Sequence, residues 1–492
     1  MAQAKEKLNL HIAMHPWFAM SHISNFLELA NKFAEKGHKI SLFLPPKTQP
    51  KLASFNHHPH LITFIPVPVP RVDGLPDGAE TTHDVPFSSR PLLMISMDLT
   101  RDAIDSHLAR LRPDVVFFDF AEWLPGLARK RGARSVRFAT TFLFTTAYFL
   151  GGPRNLPDGC TPKEEDLMHP PPGFPAHGIG LAAHEARVVV KAIEMEFGGG
   201  MNLFERLKIA FKECDAMGYK TCRETEGPFV EFVAKHSDKP LLLAGPMLPS
   251  PPDSRLDEDI DEWLKGFGHG GVVYCALGSR PFLAALKPPR NHQTMESALP
   301  KGFLERTKNR GVIHEGWVQQ QLILHHPSVG CFVTHCGASS LFEGMSSECQ
   351  LVMVPQQIDQ FINARVMSSY FKVGVEVEKR DRDGFFTREA FSKAVNLVME
   401  DESEVGKEVR ANHAKWRELL SKEGLQDSYI TELVRDLQDE KGHSISFLLP
   451  PKTQPMIAFL NHHPRLITVI PILVPQVDGL PDRTETTHDV PA

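Results

Sequence analysis

The chain has no excess of positive charge: 54 Lys and Arg stand against 60 Asp and Glu, a net −6 over 492 residues. Binding nucleic acid through its phosphates needs clustered basic side chains, so that class of partner is excluded. Paired cysteines are also lacking. The seven present (160, 214, 222, 275, 331, 336 and 349) are odd in number and scattered, with no Cys-x-x-Cys. That argues against a disulfide framework or a zinc site and favours a reducing compartment. No long hydrophobic run exists either. The first twenty residues alternate polar and apolar positions instead of forming a secretory h-region, and the most apolar internal run, Phe138 to Leu150, is too short and Thr-rich to span a bilayer. Gly266 to Gly271 fits G-x-G-x-x-G but precedes a strand instead of following one, so a dinucleotide-binding context is missing. The cluster His57, His58 and His60 has no acidic or thiol neighbours and reads as a solvated loop. A soluble, cytoplasmic monomer with neither membrane span nor metal site is the expectation.

What is present is core-forming material. Apolar residues make up 42% and charged ones 23%, enough for globular cores, and at roughly 100 to 200 residues per domain two or three domains are expected. Strand-length apolar runs alternate with helix-period segments, the pattern of parallel sheets covered by helices. Leu8 to Met14 reads as a buried strand. Ile23, Phe26, Leu27, Ala30, Phe33 and Ala34 follow helical spacing, Gly37 ends that helix, and Ile40 to Leu44 is the next strand. Further strands are predicted at Leu61 to Val67, Val115 to Phe118, Ser135 to Phe138 and Pro240 to Leu243. The Pro-rich stretch GPMLPSPPDS, residues 245–254, then marks a linker placed at 246–255. A second series follows at Val272 to Leu277, Phe282 to Leu286, Val312 to His314, Val329 to Thr334 and Leu351 to Val354, with helices around Arg388 to Met399 and Val405 to Leu420. The reading is two Rossmann-like α/β domains, 1–245 and 256–438, whose parallel sheets face a central cleft that holds the ligand.

Two irregularities stand out. Residues 35–86 recur at 440–491 without a gap, with 38 of 52 positions identical. A single distant copy cannot build a solenoid. It also omits the first strand and the loop around His22, so it reads as a duplicated tail without catalytic work, or else as a strand pair for a sheet edge. The second irregularity lies in the second domain, where only Arg280 and Pro281 separate VVYCALGS, ending at Ser279, from the next apolar run. Parallel neighbours normally need a crossover of about a dozen residues. A shifted or irregular strand and an uncovered sheet face are therefore expected.

The chemistry concentrates in the 44 residues Trp317 to Gln360, WVQQQLILHHPSVGCFVTHCGASSLFEGMSSECQLVMVPQQIDQ. A strand ends in His335-Cys336-Gly337 and passes to a helix starting near Ser339. Gly337 lets a ligand approach the backbone, and the helix N-terminus presents free N–H groups and a positive dipole to a phosphate. Taken alone, Ser340 to Glu343 reads first as a capping box, and Trp317 as an ordinary aromatic or a base-stacking platform. In the first half, His22 opens a helix whose dipole disfavours the imidazolium. Asp119 follows the strand Val115 to Phe118 and would end at the same sheet edge. A carboxylate on one ring nitrogen frees the other to take a proton, although among 24 histidines any given one is more often structural.

Together these residues resemble the signature box of the plant UDP-dependent glycosyltransferases: Trp opens it, HPSVGCFVTHCG fills its middle, Ser and Glu follow at the expected spacing, and Asp-Gln closes it. The resemblance extends to about residue 438, through MHPWFAMSH, MHPPPGFP (Met168 to Pro175) and EFGGG (Glu196 to Gly200), and is greatest to the subgroup that adds a second sugar to flavonoid or anthocyanin glycosides. It implies a GT-B fold, an N-terminal acceptor domain, a C-terminal donor domain, and UDP-sugar as co-substrate without a further cofactor. By the same resemblance His22 is the base and Asp119 its partner. Trp317 stacks on uracil and the Val318 backbone pairs with its edge, Gln320 and Glu343 hold the ribose, and Ser279, His335 and Ser340 hold the diphosphate. Asp359 and Gln360 would hold the sugar hydroxyls, the terminal Gln360 suiting a glucose-type donor. Ala338 and Ser339 depart from the Trp and Asn that many members carry, which alters contacts to sugar and phosphate. The partners implied are a UDP-sugar and a small phenolic glycoside. The competing reading is a non-catalytic relative, impaired by the short connection after Ser279.

Overall fold

Short runs rich in Val, Ile and Phe extend because their branched and aromatic side chains pack on a pleated surface, and intervening helices return the chain so that neighbouring strands run parallel. The computed structural model describes the chain outside residues 1–8, 151–153, 155, 157–159, 249–254, 275–279, 287–291, 293, 317, 401, 440–444, 450–466 and 472–492. The first sheet comprises β1 (His11–His15), β2 (Lys39–Leu44), β3 (Ile62–Pro66), β4 (Val115–Phe118), β5 (Arg134–Ala139), β6 (Ala216–Tyr219) and β7 (Leu241–Leu243) in the order β3-β2-β1-β4-β5-β6-β7. The second comprises β8 (Val272–Tyr274), β9 (Phe282–Ala285), β10 (Gly311–His314), β11 (Val329–Thr334), β12 (Gln350–Met353) and β13 (Gly374–Glu376) in the order β10-β9-β8-β11-β12-β13. All pairings in both sheets are parallel. β6 and β13, three or four residues each, fell below the sequence pattern.

Each sheet reverses its strand order once, between β1 and β4 and between β8 and β11. In open α/β sheets the crevice outside the carboxyl ends of the strands at such a point is where ligands bind. The segments leaving β1 and β4 carry His22 and Asp119, and the segment leaving β11 carries His335 to Gly337. After β1 the chain enters α1 (Met20–Glu35), whose Phe26 and Phe33 pack edge-on against Phe138 and Phe117 at 5.4 and 5.5 Å. Burying such side chains contributes about 1.5 to 3 kcal/mol each, which fixes the helix, and His22 with it, on the sheet.

β8 is described to Tyr274 and β9 from Phe282, and the short connection expected at Ser279 falls in residues 275–279, outside the described residues. Among the described residues the expected uncovered sheet face is not found. Val273, Phe282 and Ala284 are buried in a cluster with Phe391, Val395 and Val398 of α6 (Arg388–Met399, numbered after four helices introduced below). On the other face Tyr274 stacks on Phe332 at 5.3 Å and Leu283 is fully buried. The helix α6, from much later in the chain, covers the first of these faces.

The Pro-rich linker also starts less freely than its composition suggests. The Gln426 side chain donates to the Ala244 carbonyl and accepts from the Met247 amide, both at 2.6 Å, so the chain leaving β7 is clasped from both sides. Residues Asn9–Ile430 form one compact unit; the chain from Thr431 onward belongs to a second. In the latter, β14 (Ile445–Leu449) and β15 (Ile467–Pro471) pair in parallel, Ile445 opposite Ile467 through Leu449 opposite Pro471. This is the register of β2 and β3, Ile40 opposite Ile62 through Leu44 opposite Pro66, so the duplicated segment keeps its local pairing.

One core residue makes stability depend on pH. The His15 ring is fully buried between Phe18, Phe43 and Trp123, with centroids 6.0, 6.0 and 5.8 Å away, and neither nitrogen has a hydrogen-bond partner among the described residues. Burial lowers its pKa from 6.5 to about 4, against the opposing pull of Asp119. As pH falls below 6.5 the unfolded chain takes up this proton before the folded one does. The stability difference is therefore intact above pH 6.5 and lost between 6.5 and 4. We expect His15→Phe to lose about 2 to 3 kcal/mol less than wild type when urea unfolding is compared at pH 7 and 4.5. Equal losses in the two proteins would contradict this.

Candidate active site

His22 is the third residue of α1, set after Ala19, whose amide turns back onto the Trp17 carbonyl. Asp119 immediately follows β4 and is buried. Its Oδ2 lies 2.6 Å from His22 Nδ1, and its Oδ1 accepts from the Trp17 and Phe120 amides at 2.7 and 2.8 Å. Because a carboxylate only accepts, the proton of the imidazole sits on Nδ1 and the Nε2 lone pair is free. Thr140 Oγ1 lies 3.1 Å from the same Nδ1, and the Phe120 ring is 5.6 Å from the His22 ring. Thr140 was not anticipated, although it directly follows β5 and the rule that pointed to Asp119 applies to it equally.

On the other sheet, α4 (Ala338–Ser346) begins at Ala338, with Gly337 as its N-cap and no capping side chain. It is numbered after α2 (Arg90–Asp98) and α3 (Leu203–Glu213). Cys336 is buried with φ +68°, a left-handed conformation strained for a residue with a side chain. Its carbonyl accepts from Asn363 Nδ2 at 2.9 Å and its amide donates to Thr334 Oγ1 at 3.1 Å, which holds the turn. A Cβ at Gly337 would lie 2.7 Å from His335 Nε2, so a larger residue there would displace the His335 ring. The capping box suggested by Ser340 and Glu343 does not form, because the helix starts two residues before Ser340. Instead the Glu343 carboxylate accepts from Gln320 Nε2 at 2.6 Å, with Ser340 Oγ 3.5 Å from that nitrogen. Burial raises the Glu343 carboxyl above the ordinary range. Val318 is buried beside this pair, its carbonyl accepting from the Gln320 amide at 2.9 Å.

Asp359 and Gln360 lie in α5 (Ile358–Arg365). Burial raises the Asp359 carboxyl above the ordinary range, and nearby His22 opposes that shift, so the two groups interact across the two sheets. Gln360 Oε1 accepts from the Gln356 and Gln357 amides at 2.9 and 3.0 Å, capping its own helix. Ser279 and Trp317 lie outside the described residues.

Three side-chain pairs tie the halves together: Asn25 Nδ2 to Ser339 Oγ at 3.1 Å, Thr145 Oγ1 to Asn363 Oδ1 at 2.6 Å, and Arg365 to Glu185 at 3.1 Å. The result is one space containing a proton-accepting imidazole, a helix N-terminus suited to an anion, and carboxylates suited to hydroxyls. Among the described residues, no group of three or more His, Cys, Asp or Glu is placed to hold a metal ion, and no helix is long and apolar enough to cross a membrane.

A family model described as UDP-glucoronosyl and UDP-glucosyl transferase matches residues 250–409. Over 452 residues the chain is 51% identical to cyanidin 3-O-galactoside 2''-O-xylosyltransferase of Actinidia chinensis var. chinensis, covering 88% of this chain and 99% of that protein. It is 47% identical over 452 residues to anthocyanidin 3-O-glucoside 2''-O-glucosyltransferase of Ipomoea purpurea, covering 88% and 98%. Among solved structures, UDP-glucose: anthocyanidin 3-O-glucosyltransferase in complex with UDP superposes with a TM-score of 0.68 at 24% identity, covering 88% of this chain and all of that one. A UDP-glucosyltransferase from Polygonum tinctorium gives 0.69 at 21% identity over 88% of this chain and all of that one.

The geometry around His22 carries its own test. With selectively labelled histidine, the ring nitrogen shifts of His22 should report a proton on Nδ1 and a bare Nε2, and Asp119→Asn should move the proton toward Nε2. A wild-type ring already protonated on Nε2 would contradict the arrangement.

Proposed function

This chain belongs to the UDP-dependent glycosyltransferase family, and from that premise we propose that it transfers a hexose or pentose from a UDP-sugar to a hydroxyl of a flavonoid or anthocyanin 3-O-glycoside, with inversion. The family's GT-B fold supplies the two facing sheets. The observation that carries the reading is the His22–Asp119 pair, 2.6 Å apart, set across one seam from the N-terminus of α4. Relatives that add xylose or glucose to a glycoside's sugar support the acceptor class.

The chemistry follows from the groups in place. His22 Nε2 takes the proton of the acceptor hydroxyl as that oxygen attacks the anomeric carbon. The bond from that carbon to the diphosphate breaks, and UDP leaves with the electron pair. Asp119 keeps the ring in the tautomer that can accept a proton and stabilises the imidazolium that forms. The α4 N-terminus, His335 and Ser340 meet the charge that develops on the leaving diphosphate. Gln320 and Glu343, paired to each other, present a preformed donor and acceptor to the ribose, and Asp359 with Gln360 faces the sugar. In this reading Ser279 joins the diphosphate set, Trp317 and Val318 hold the uracil, and UDP-sugar is a co-substrate with no further cofactor. The enzyme acts as a cytoplasmic monomer. The non-catalytic alternative rested on the short connection after Ser279, and the sheet face that connection was expected to leave open has Phe282, Leu283 and Ala284 buried, which weakens it.

His22→Ala should lower kcat by about 10² to 10⁴ while leaving UDP affinity nearly unchanged, measured as UDP release with a panel of UDP-sugars and flavonoid glycosides. A parallel loss of UDP binding, or undiminished turnover, would contradict the assignment.

A further inference from the structure

Lys220 follows β6 directly and its side chain is buried at the junction of α1, β6 and α4. Lysine is rarely buried unless its charge is answered. Here the ammonium donates to Asn25 Oδ1 at 2.8 Å, lies 4.7 Å above the Phe342 ring, and sits within the electrostatic reach of Glu28 on α1 and Glu343 on α4. That donation fixes the orientation of an amide whose oxygen and nitrogen would otherwise be interchangeable, since an ammonium has no acceptor. The Asn25 nitrogen therefore points the other way, giving one hydrogen to the Ser21 carbonyl at 2.7 Å and one to Ser339 Oγ at 3.1 Å. Asn25 stands three residues after His22 on one face of α1. Ser339 is the second residue of α4, at the end proposed to meet the diphosphate.

We propose that Lys220, Asn25 and Ser339 form a strut that sets the distance between the helix carrying the base and the helix that receives the leaving group, making Asn25 and Lys220 positioning residues for the transfer. This rests on the proposed function. Displacement requires the attacking oxygen about 3 to 3.5 Å from the anomeric carbon and in line with the leaving oxygen, and a 1 Å error can cost about 100-fold. Ser339 has been associated above with donor contacts, and its hydroxyl is instead engaged by the opposite half.

The test is a double-mutant cycle in the full chain with Asn25→Ala, Ser339→Ala and the pair. Each single substitution should lower kcat about tenfold with UDP affinity by calorimetry held within about twofold, and the pair should be no worse than the poorer single. Ser339→Thr, which keeps the hydroxyl, should restore most of kcat, and Lys220→Met should behave like Asn25→Ala. Hydrogen exchange gives a readout independent of turnover: Asn25→Ala should speed exchange in the first turn of α4, across the seam. Additive losses, a parallel fall in UDP affinity, or unchanged exchange at α4 would overturn the strut. A wild-type chain that transfers to no glycoside would overturn the function, and the exchange result would then decide the strut alone.

Discussion

Asp119 is a carboxylate taken out of water, and the site is organised around satisfying it. Leaving such a group unpaired would cost several kcal/mol. Two backbone amides and the His22 ring nitrogen answer it at 2.6 to 2.8 Å. The Trp17 amide can reach it only because the loop after β1 folds tightly onto the end of β4. The same loop positions the first turn of α1, so satisfying the carboxylate also fixes the rotation of the histidine. Structure and proton transfer here depend on one set of hydrogen bonds.

Parallel topology makes this possible twice. Every strand in both sheets delivers its carboxyl end to the same edge, and the single reversal in each order opens a crevice there. On the proposed function the first sheet contributes the base and the second the helix N-terminus that meets the diphosphate, so neither half holds the whole reaction. The cross-seam pairs at Asn25, Thr145 and Arg365 are consequently as much part of the site as His22. Asn363 shows the economy of the arrangement: one amide accepts from Thr145 across the seam and donates to the strained Cys336 turn beneath the helix N-terminus.

Much of this was legible in the chain. Val115 to Phe118 and Val329 to Thr334 are strands with the predicted limits, the first a fully apolar run and the second mostly apolar up to Thr334. Asp119 and His335 stand out as the first ionisable residues beyond those strands. The capping box at Ser340 and Glu343 does not form. Local pattern cannot tell that Glu343 will pair with Gln320, more than twenty residues earlier. That the Gln360 carbonyl caps its own helix is likewise visible only in the fold. Asn25 and Lys220 carried no signal at all, since one is a polar residue within a helix and the other a lysine after a short, weakly marked strand. Their significance comes only from the meeting of two domains.

The central claim is that one histidine-activated hydroxyl displaces UDP in a single step across this seam, and the stereochemistry of the product tests it most directly. A UDP-sugar with an α-linked glucose or xylose should yield a β-linked product, read from the anomeric proton coupling in the NMR spectrum of the isolated glycoside. An α-linked product would require a second displacement or a different face of attack, and would contradict the account built on His22 and Asp119.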